Sequence, residues 1–327
     1  MSNADSIDLS DPKSPLALFH RMLLIRRMEQ RLAEIQKTGS LPGPVHLYIG
    51  QEAVAAGICA HLSDSDWIAS THRGHGHFLA KGGDPRAMAA ELYGRSTGIC
   101  KGKGGSMHVA DFSKGIIGAN GIVGGGIGLT AGAALAAQLD GKGDVAVAFY
   151  GDGAANQGVL SEAMNIGALW KLPLILVCEN NGFSEFSPSD TVTAGAIVDR
   201  GKPYGIATAT VDGNDVMAVL EVAGQAVERA RKGEGTTLIE ARTYRLHGHV
   251  EYEDTFLSEK YRSDEEVEEW KARDPLIQME QFMAGKVSPE QIEAVKADIE
   301  RIVADAYEFA ENSPWPEPAT ALDDIFA

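Results

Sequence analysis

Cysteine is scarce in this chain. Only Cys59, Cys100 and Cys178 occur in 327 residues, widely spaced, odd in number and without a CxxC pair. That excludes a disulfide framework and a thiolate metal cage, and it suits free thiols in a reducing compartment. Basic charge is short as well: 29 Lys and Arg stand against 46 Asp and Glu, a net charge of −17. A nucleic-acid binder needs a basic face, so no nucleic-acid partner is expected. Long apolar runs are missing; each is broken by glycine or charge before it could cross a bilayer. The N-terminal residues do not resemble a signal peptide. These absences predict a soluble, cytoplasmic protein with no membrane partner. Aromatic residues make up only 7% of the chain, and neither internal repeats nor low-complexity linkers are visible.

Glycine is what the sequence has in quantity. Its 37 glycines are clustered, as in loops that approach another group closely. Apolar residues at helical spacing predict a helix over 15–38, from Leu18 through Met22, Ile25 and Met28 to Ile35. A shorter helix is expected over 51–62, and Asp84-Pro85 opens one reaching about Ser96. A glycine-rich loop is expected from Gly98 to Gly128, running into an Ala-rich helix that ends near Leu139.

The pattern then changes to alternating strands and helices. Strands are predicted at 144–150, 174–179, 207–211 and 237–241, with helices at 156–170 and 216–232. Such alternation implies an α/β fold with a doubly wound, mostly parallel sheet and its site at the strands' C-terminal ends. Ser288-Pro289-Glu290-Gln291 reads as a capping box for a helix to about Asn312.

The sharpest chemical signal is Gly151-Asp152-Gly153 directly after one strand, with Asn180-Asn181 directly after the next. A carboxylate and an amide at the ends of neighbouring parallel strands can face one cation. Their oxygens suit Mg²⁺, which takes few protein ligands and completes its shell with phosphate oxygens. Gly153 lets the backbone approach those oxygens. DG and NG are also ordinary turn dipeptides; the strand–helix–strand spacing between the two favours the metal–diphosphate reading. His72, His75 and His77 form a second cluster that could bind Zn²⁺. No cysteine or carboxylate completes that set locally. Gly124–Gly128 lacks GxGxxG spacing, so it is read as close packing of a Gly/Ala helix on a neighbour.

GDG, a helix, a strand and NN form the thiamine-diphosphate fingerprint. YGDGAANQG, ALWKLP and ENN resemble the alpha subunits of the decarboxylating component of pyruvate dehydrogenase. PGPVHLYIGQEA, GKGGSMH, GANGIVGGG and VDGNDV resemble the acetoin dehydrogenase alpha subunits of the same family. The resemblance implies a thiamine-diphosphate-binding domain over 16–275, after a flexible tail at 1–15 and before a C-terminal helical extension at 276–327. It implies thiamine diphosphate and Mg²⁺ as cofactors, with Asp152, Asn181 and the Phe183 carbonyl as metal ligands. Gly153 and Ala154 would contact phosphate through backbone, Gly121 and Val123 the aminopyrimidine, and Ile122 or Val123 would wedge the bent cofactor. Arg73, Arg245 and His72 would reach the diphosphate, although relatives often have tyrosine in place of His72. His249 and His46 would serve the chemistry; a solvated loop histidine is the plain alternative for His249.

The same resemblance implies the reaction. A small-molecule substrate, either acetoin or a 2-oxo acid such as pyruvate, would be cleaved. The acyl fragment would pass to a lipoyl-bearing acyltransferase, and a beta subunit would complete an α₂β₂ heterotetramer. The acetoin-type motifs tilt the expectation towards acetoin. A zinc hydrolase on the three histidines and a catalytically silent assembly subunit are the rival readings. Mammalian relatives are switched off by phosphorylation of a serine directly after HGH. Val250 occupies that place here and has no hydroxyl, and the segment 250–257 departs from the family's usual run.

Overall fold

The computed structural model describes residues 7–324. Six parallel strands form one sheet in the order β2-β1-β3-β4-β8-β7. They are β1 (Trp67–Ala69), β2 (Ile116–Gly118), β3 (Ala146–Gly151), β4 (Leu174–Asn180), β7 (Ala207–Asp212) and β8 (Thr237–Arg242), with a small hairpin of β5 (Phe183–Ser184) and β6 (Ser187–Pro188) after β4. Alternation along each strand divides the core between two faces. Val145, Val147, Phe149, Ile175, Val177 and Ile239 turn to one side, and Ala146, Ala148, Leu174, Leu176 and Leu238 to the other. The expected doubly wound α/β sheet is the architecture observed.

Helices cover both faces. On the larger core lie α1 (Pro15–Gln36), α2 (Glu52–Cys59), α3 (Gly74–Ala80), α4 (Pro85–Leu92) and α8 (Val216–Arg231). The opposite face carries α5 (Gly125–Asp140) and α6 (Gly158–Trp170). A short turn of helix, α7 (Ser189–Val192), follows the hairpin, and α9 (Asp264–Lys271), α10 (Pro275–Met283) and α11 (Pro289–Asn312) end the chain. Capping chemistry sets several starts. Asp84 accepts from Arg86 N, and Ser288 and Gln291 form the predicted box ahead of α11. Met279, Met283, Val295, Ile299 and Ala306 are buried in the same core as α1. Of the tail expected over 1–15, the first six residues lie outside those described, while Ile7 and Leu9 rest half-buried against the core. Among the described residues, no helix is long and apolar enough to cross a membrane.

Two local expectations need correction. The segment 98–128 is not one loop: it holds 3₁₀ turns at Ser106–His108 and Phe112–Lys114 and the strand β2. At three residues each, β1 and β2 are too short to leave a periodic trace. The helix expected from Asn156 begins at Gly158, because a 3₁₀ turn at Ala154–Asn156 and an extended Gln157 intervene.

One buried carboxylate organises the glycine-rich segment. Glu91 Oε2 accepts from the N–H of Cys100 and Gly102, both at 2.8 Å, and Oε1 from Gly104 at 2.7 Å and Gly105 at 3.0 Å. Its side chain has no solvent exposure. Buried donors left without an acceptor cost about 1–3 kcal/mol. Glu91→Ala should therefore destabilise the fold by roughly 3 kcal/mol, read as a lower denaturant midpoint. A midpoint within error of the wild type would show that water replaces the carboxylate.

Candidate active site

The loops following β1, β2, β3, β4 and β8 surround one cavity of about 310 Å³. In the β3–β4 register Gly151 pairs with Glu179, so Asp152 and Asn181 leave adjacent strands almost side by side. Both line the cavity and both are buried. Asp152 Oδ2 has no hydrogen-bond partner, and burial pushes its carboxyl above the usual range. Asn181 is held firmly: its Nδ2 donates to Gln51 Oε1 at 2.9 Å, while its Oδ1 accepts from Phe183 N at 3.2 Å. Gln51 escaped sequence reasoning because it lies 130 positions away, before α2. A Cβ on Gly153 would sit 2.4 Å from Ser184 Oγ, so the hairpin closes over Asp152 only because that residue is glycine.

Positive charge faces this carboxylate. Arg73 is buried and donates from Nη1 to Leu47 O at 2.8 Å and from Nη2 to His249 O at 2.8 Å. Arg245 is also buried, gives Nη2 to Glu185 O at 2.9 Å, and leaves Nε and Nη1 without partners. Among the described residues, no carboxylate forms an ion pair with either guanidinium. Burial, then repulsion from Arg245, lowers the pKa of Arg73. Two buried cations, one of them with idle donors, call for an anion.

The histidine trio of the rival zinc reading does not converge. His75 bonds Glu29 Oε1 at 2.7 Å and Ser106 O at 3.1 Å. His77 bonds Ser70 Oγ at 2.7 Å and Glu179 Oε1 at 3.1 Å, with Tyr48 closing that network. Both rings are satisfied behind the cavity wall. The imidazoles that do meet are His46, His72 and His249, with one nitrogen of each within 4.8 Å of the others. The resemblance implies a site role for each of the three, but their grouping shows only in the fold, because three separate loops supply the rings. Arg73 Nη2 stands 3.1 Å from His249 Nδ1. An arginine can only donate, so Nδ1 accepts and the ring proton sits on Nε2. That blocks Nδ1 as a ligand and puts a guanidinium where a cation would have to enter.

Burial and the two guanidiniums hold these rings neutral. His46 is brought down to about 3 by burial, then by Arg73, His75 and Arg245. His249 is brought down to about 2 by burial, then by Arg73, Arg245 and His46. His72 moves in the same direction for the same reasons. Gly121 and Val123 line the cavity before α5, with Ile122 at 73% and Val123 at 50% exposure on its rim. Ala154 is buried at the β3 end.

Similarity to known proteins was consistent along the chain. The family described as Dehydrogenase E1 component matches residues 20–319. The alpha subunit of acetoin:2,6-dichlorophenolindophenol oxidoreductase from Bacillus subtilis (strain 168) is 44% identical over 324 residues, covering 98% of this chain and 96% of the relative. The corresponding subunit from Cupriavidus necator is 44% identical over 320 residues, 97% and 95% of the two chains. The pyruvate dehydrogenase E1 component subunit alpha of Zymomonas mobilis is 42% identical over 312 residues, 94% and 87%.

A histidine held neutral in the fold couples stability to pH. An unfolded imidazole titrates near 6.5, and the folded rings of His46 and His249 titrate far lower. Between those values the unfolded chain binds more protons, so stability is complete above about pH 6.5 and falls as pH drops. The Tm should decline between pH 7.5 and 5.5, and His46→Asn/His249→Asn should decline less. His20 and His61, also depressed, are present in both proteins and cancel. Parallel Tm curves would refute the assignment.

Proposed function

This chain belongs to the dehydrogenase E1 component family, and from that membership we propose that it is the alpha subunit of a thiamine-diphosphate-dependent dehydrogenase. Its substrate is acetoin or a 2-oxo acid such as pyruvate, and the acyl product goes to a lipoyl-bearing acyltransferase. The observation that carries this reading is the opposition of the buried Asp152 carboxylate, whose Oδ2 has no partner, to the partly idle Arg245 guanidinium across one cavity. A metal diphosphate satisfies both at once.

The donor set fits such a group. Asp152, the Asn181 side-chain oxygen and the Phe183 carbonyl are hard oxygen ligands of the kind Mg²⁺ takes. Arg73 and Arg245 supply planar donors for phosphate oxygens, with His72 beside them. Gly153 and Ala154 offer backbone N–H groups to phosphate, and Gly121 and Val123 offer backbone to the aminopyrimidine. When bound, thiamine diphosphate supplies the electron sink for cleaving the bond next to a carbonyl. The neutral His249 offers Nε2–H, a hydrogen-bond donor suited to a carbonyl oxygen that gains charge. His46, edge-on to it at 5.0 Å between ring centres, is the second group able to hold or pass a proton. A silent scaffold would have no use for idle buried donors and a bare carboxylate.

The partner follows from what the chain lacks. The six-stranded sheet supplies a diphosphate half-site, and Ile122 and Val123 are exposed beside it, with Leu129 and Leu139 exposed along α5. A beta subunit in an α₂β₂ assembly covers that surface and completes the site. The cytoplasm, with its reduced thiols, is the compartment we assign.

Asp152→Asn keeps the side chain's size and removes its charge, so it should abolish Mg²⁺-dependent thiamine diphosphate binding in calorimetric titration of the assembled complex. Unchanged affinity in a folded variant removes the metal assignment. The purified chain should be inactive alone and should turn over after co-expression with a beta subunit. With a dye acceptor, kcat/KM should be higher for acetoin than for pyruvate. Full turnover by the chain alone overturns the half-site, and a strong preference for pyruvate overturns the substrate.

A further inference from the structure

His249 sits on the segment that follows β8, a stretch without regular secondary structure from Thr243 to Val250. A catalytic ring on such a loop needs its backbone fixed by something outside the loop. Two side chains of opposite charge do this, both from the segment 251–262. Arg262 donates from Nη1 to Arg245 O at 2.6 Å and from Nη2 to His247 O at 2.8 Å. Glu253 Oε2 accepts from His249 N and, at 3.4 Å, from Val250 N. Tyr261 joins them: its hydroxyl donates to Glu253 Oε2 at 3.3 Å and accepts from His249 N at 3.2 Å.

The guanidinium therefore takes carbonyls and the carboxylate takes amides of one short run of backbone. Gly248 shows how closely the carboxylate approaches, since a Cβ there would lie 2.3 Å from Glu253 Cδ. No side chain other than hydrogen fits between them. Beyond His249, its carbonyl and ring Nδ1 meet Arg73, so the same residue is gripped from the cavity side and from behind.

We infer that Glu253 is a positioning residue of the active site, one that fixes the His249 backbone through its N–H and so sets where the imidazole stands. This rests on the role proposed above for His249. Glu253 does not itself line the cavity; it lies behind the loop and meets the cavity residue His249 through backbone. The segment 250–257, which departs from the family's usual run, is then the back wall of the His249 loop.

The test uses the complex with its beta subunit and four variants: Glu253→Ala, Glu253→Gln, His249→Ala and the Glu253→Ala/His249→Ala double. Misplacement of a catalytic group by about 1 Å can cost up to roughly a hundredfold. Glu253→Ala should lower kcat at least about tenfold, while the KM for thiamine diphosphate stays within about threefold. Glutamine keeps a carbonyl oxygen for the same N–H groups, so Glu253→Gln should retain kcat within about threefold of wild type. In the His249→Ala background, Glu253→Ala should cost less than about twofold, because groups acting through one another are not additive. Equal losses in both backgrounds would overturn the inference, since a general structural defect lowers both. Limited trypsin digestion gives a readout that does not depend on the reaction. Glu253→Ala should be cut faster after Lys260 and Arg262 than wild type or Glu253→Gln, and equal rates would refute the clamp. A wild-type complex inactive on acetoin and pyruvate would refute the proposed reaction, while the digestion still decides the clamp.

Discussion

Two buried guanidiniums, paired with no carboxylate among the described residues, are the constraint around which this site is arranged. Arg73 and Arg245 are fastened by backbone carbonyls of Leu47, His249 and Glu185. Carbonyls orient a guanidinium without neutralising it, so the charge stays available to the cavity. Its effects reach outwards. The histidines at the mouth stay neutral, and a cation is unwelcome at the imidazole cluster. Asp152, across the same space, is the buried carboxylate of its lining. Separated charges of opposite sign suit a ligand that is itself a cation bound to an anion, as a metal diphosphate is.

The layer behind the cavity is built differently. Glu29, Glu91 and Glu179 are buried and each accepts from several donors. Buried polar groups without partners are uncommon in folded proteins. Here Asp152 Oδ2, Arg245 Nε and Nη1, His46 Nδ1 and His72 Nε2 lack partners, and all of these residues line the cavity. Satisfied carboxylates hold the loops rigid; these five unsatisfied atoms belong to residues around the space where a ligand belongs. The glycine-rich segment illustrates the first half. Glu91 gathers four of its N–H groups, and Ser106, just beyond, bonds the His75 ring.

Much of this was legible in the sequence. Asp152 and Asn181 follow strands whose apolar runs of five or six residues are continuous, as expected for strands buried on both faces. Strand ends in a parallel sheet share one edge, so position along the chain already predicted position in the site. Cap residues such as Asp84 and Ser288 act locally, and their side chains bond backbone only two or three residues away. Short-range physics of this kind leaves its mark in adjacent letters.

Tertiary structure alone decided which histidines meet. His72, His75 and His77 are neighbours in sequence, yet helix α3 turns His75 and His77 inward onto Glu29 and Glu179, more than 40 positions away in opposite directions along the chain. His46 and His249 arrive instead from loops about 200 residues apart, brought together by the sheet order that sets β8 beside β4. The grip of Gln51 on Asn181 and of Glu253 on His249 has the same character. A hydrogen bond specifies a distance of about 3 Å and no sequence separation. Adjacent letters were enough for the four longer strands and the residues at their ends; β1, β2 and the partners of those residues emerged only on folding, because side-chain contact depends on which elements the packing makes adjacent.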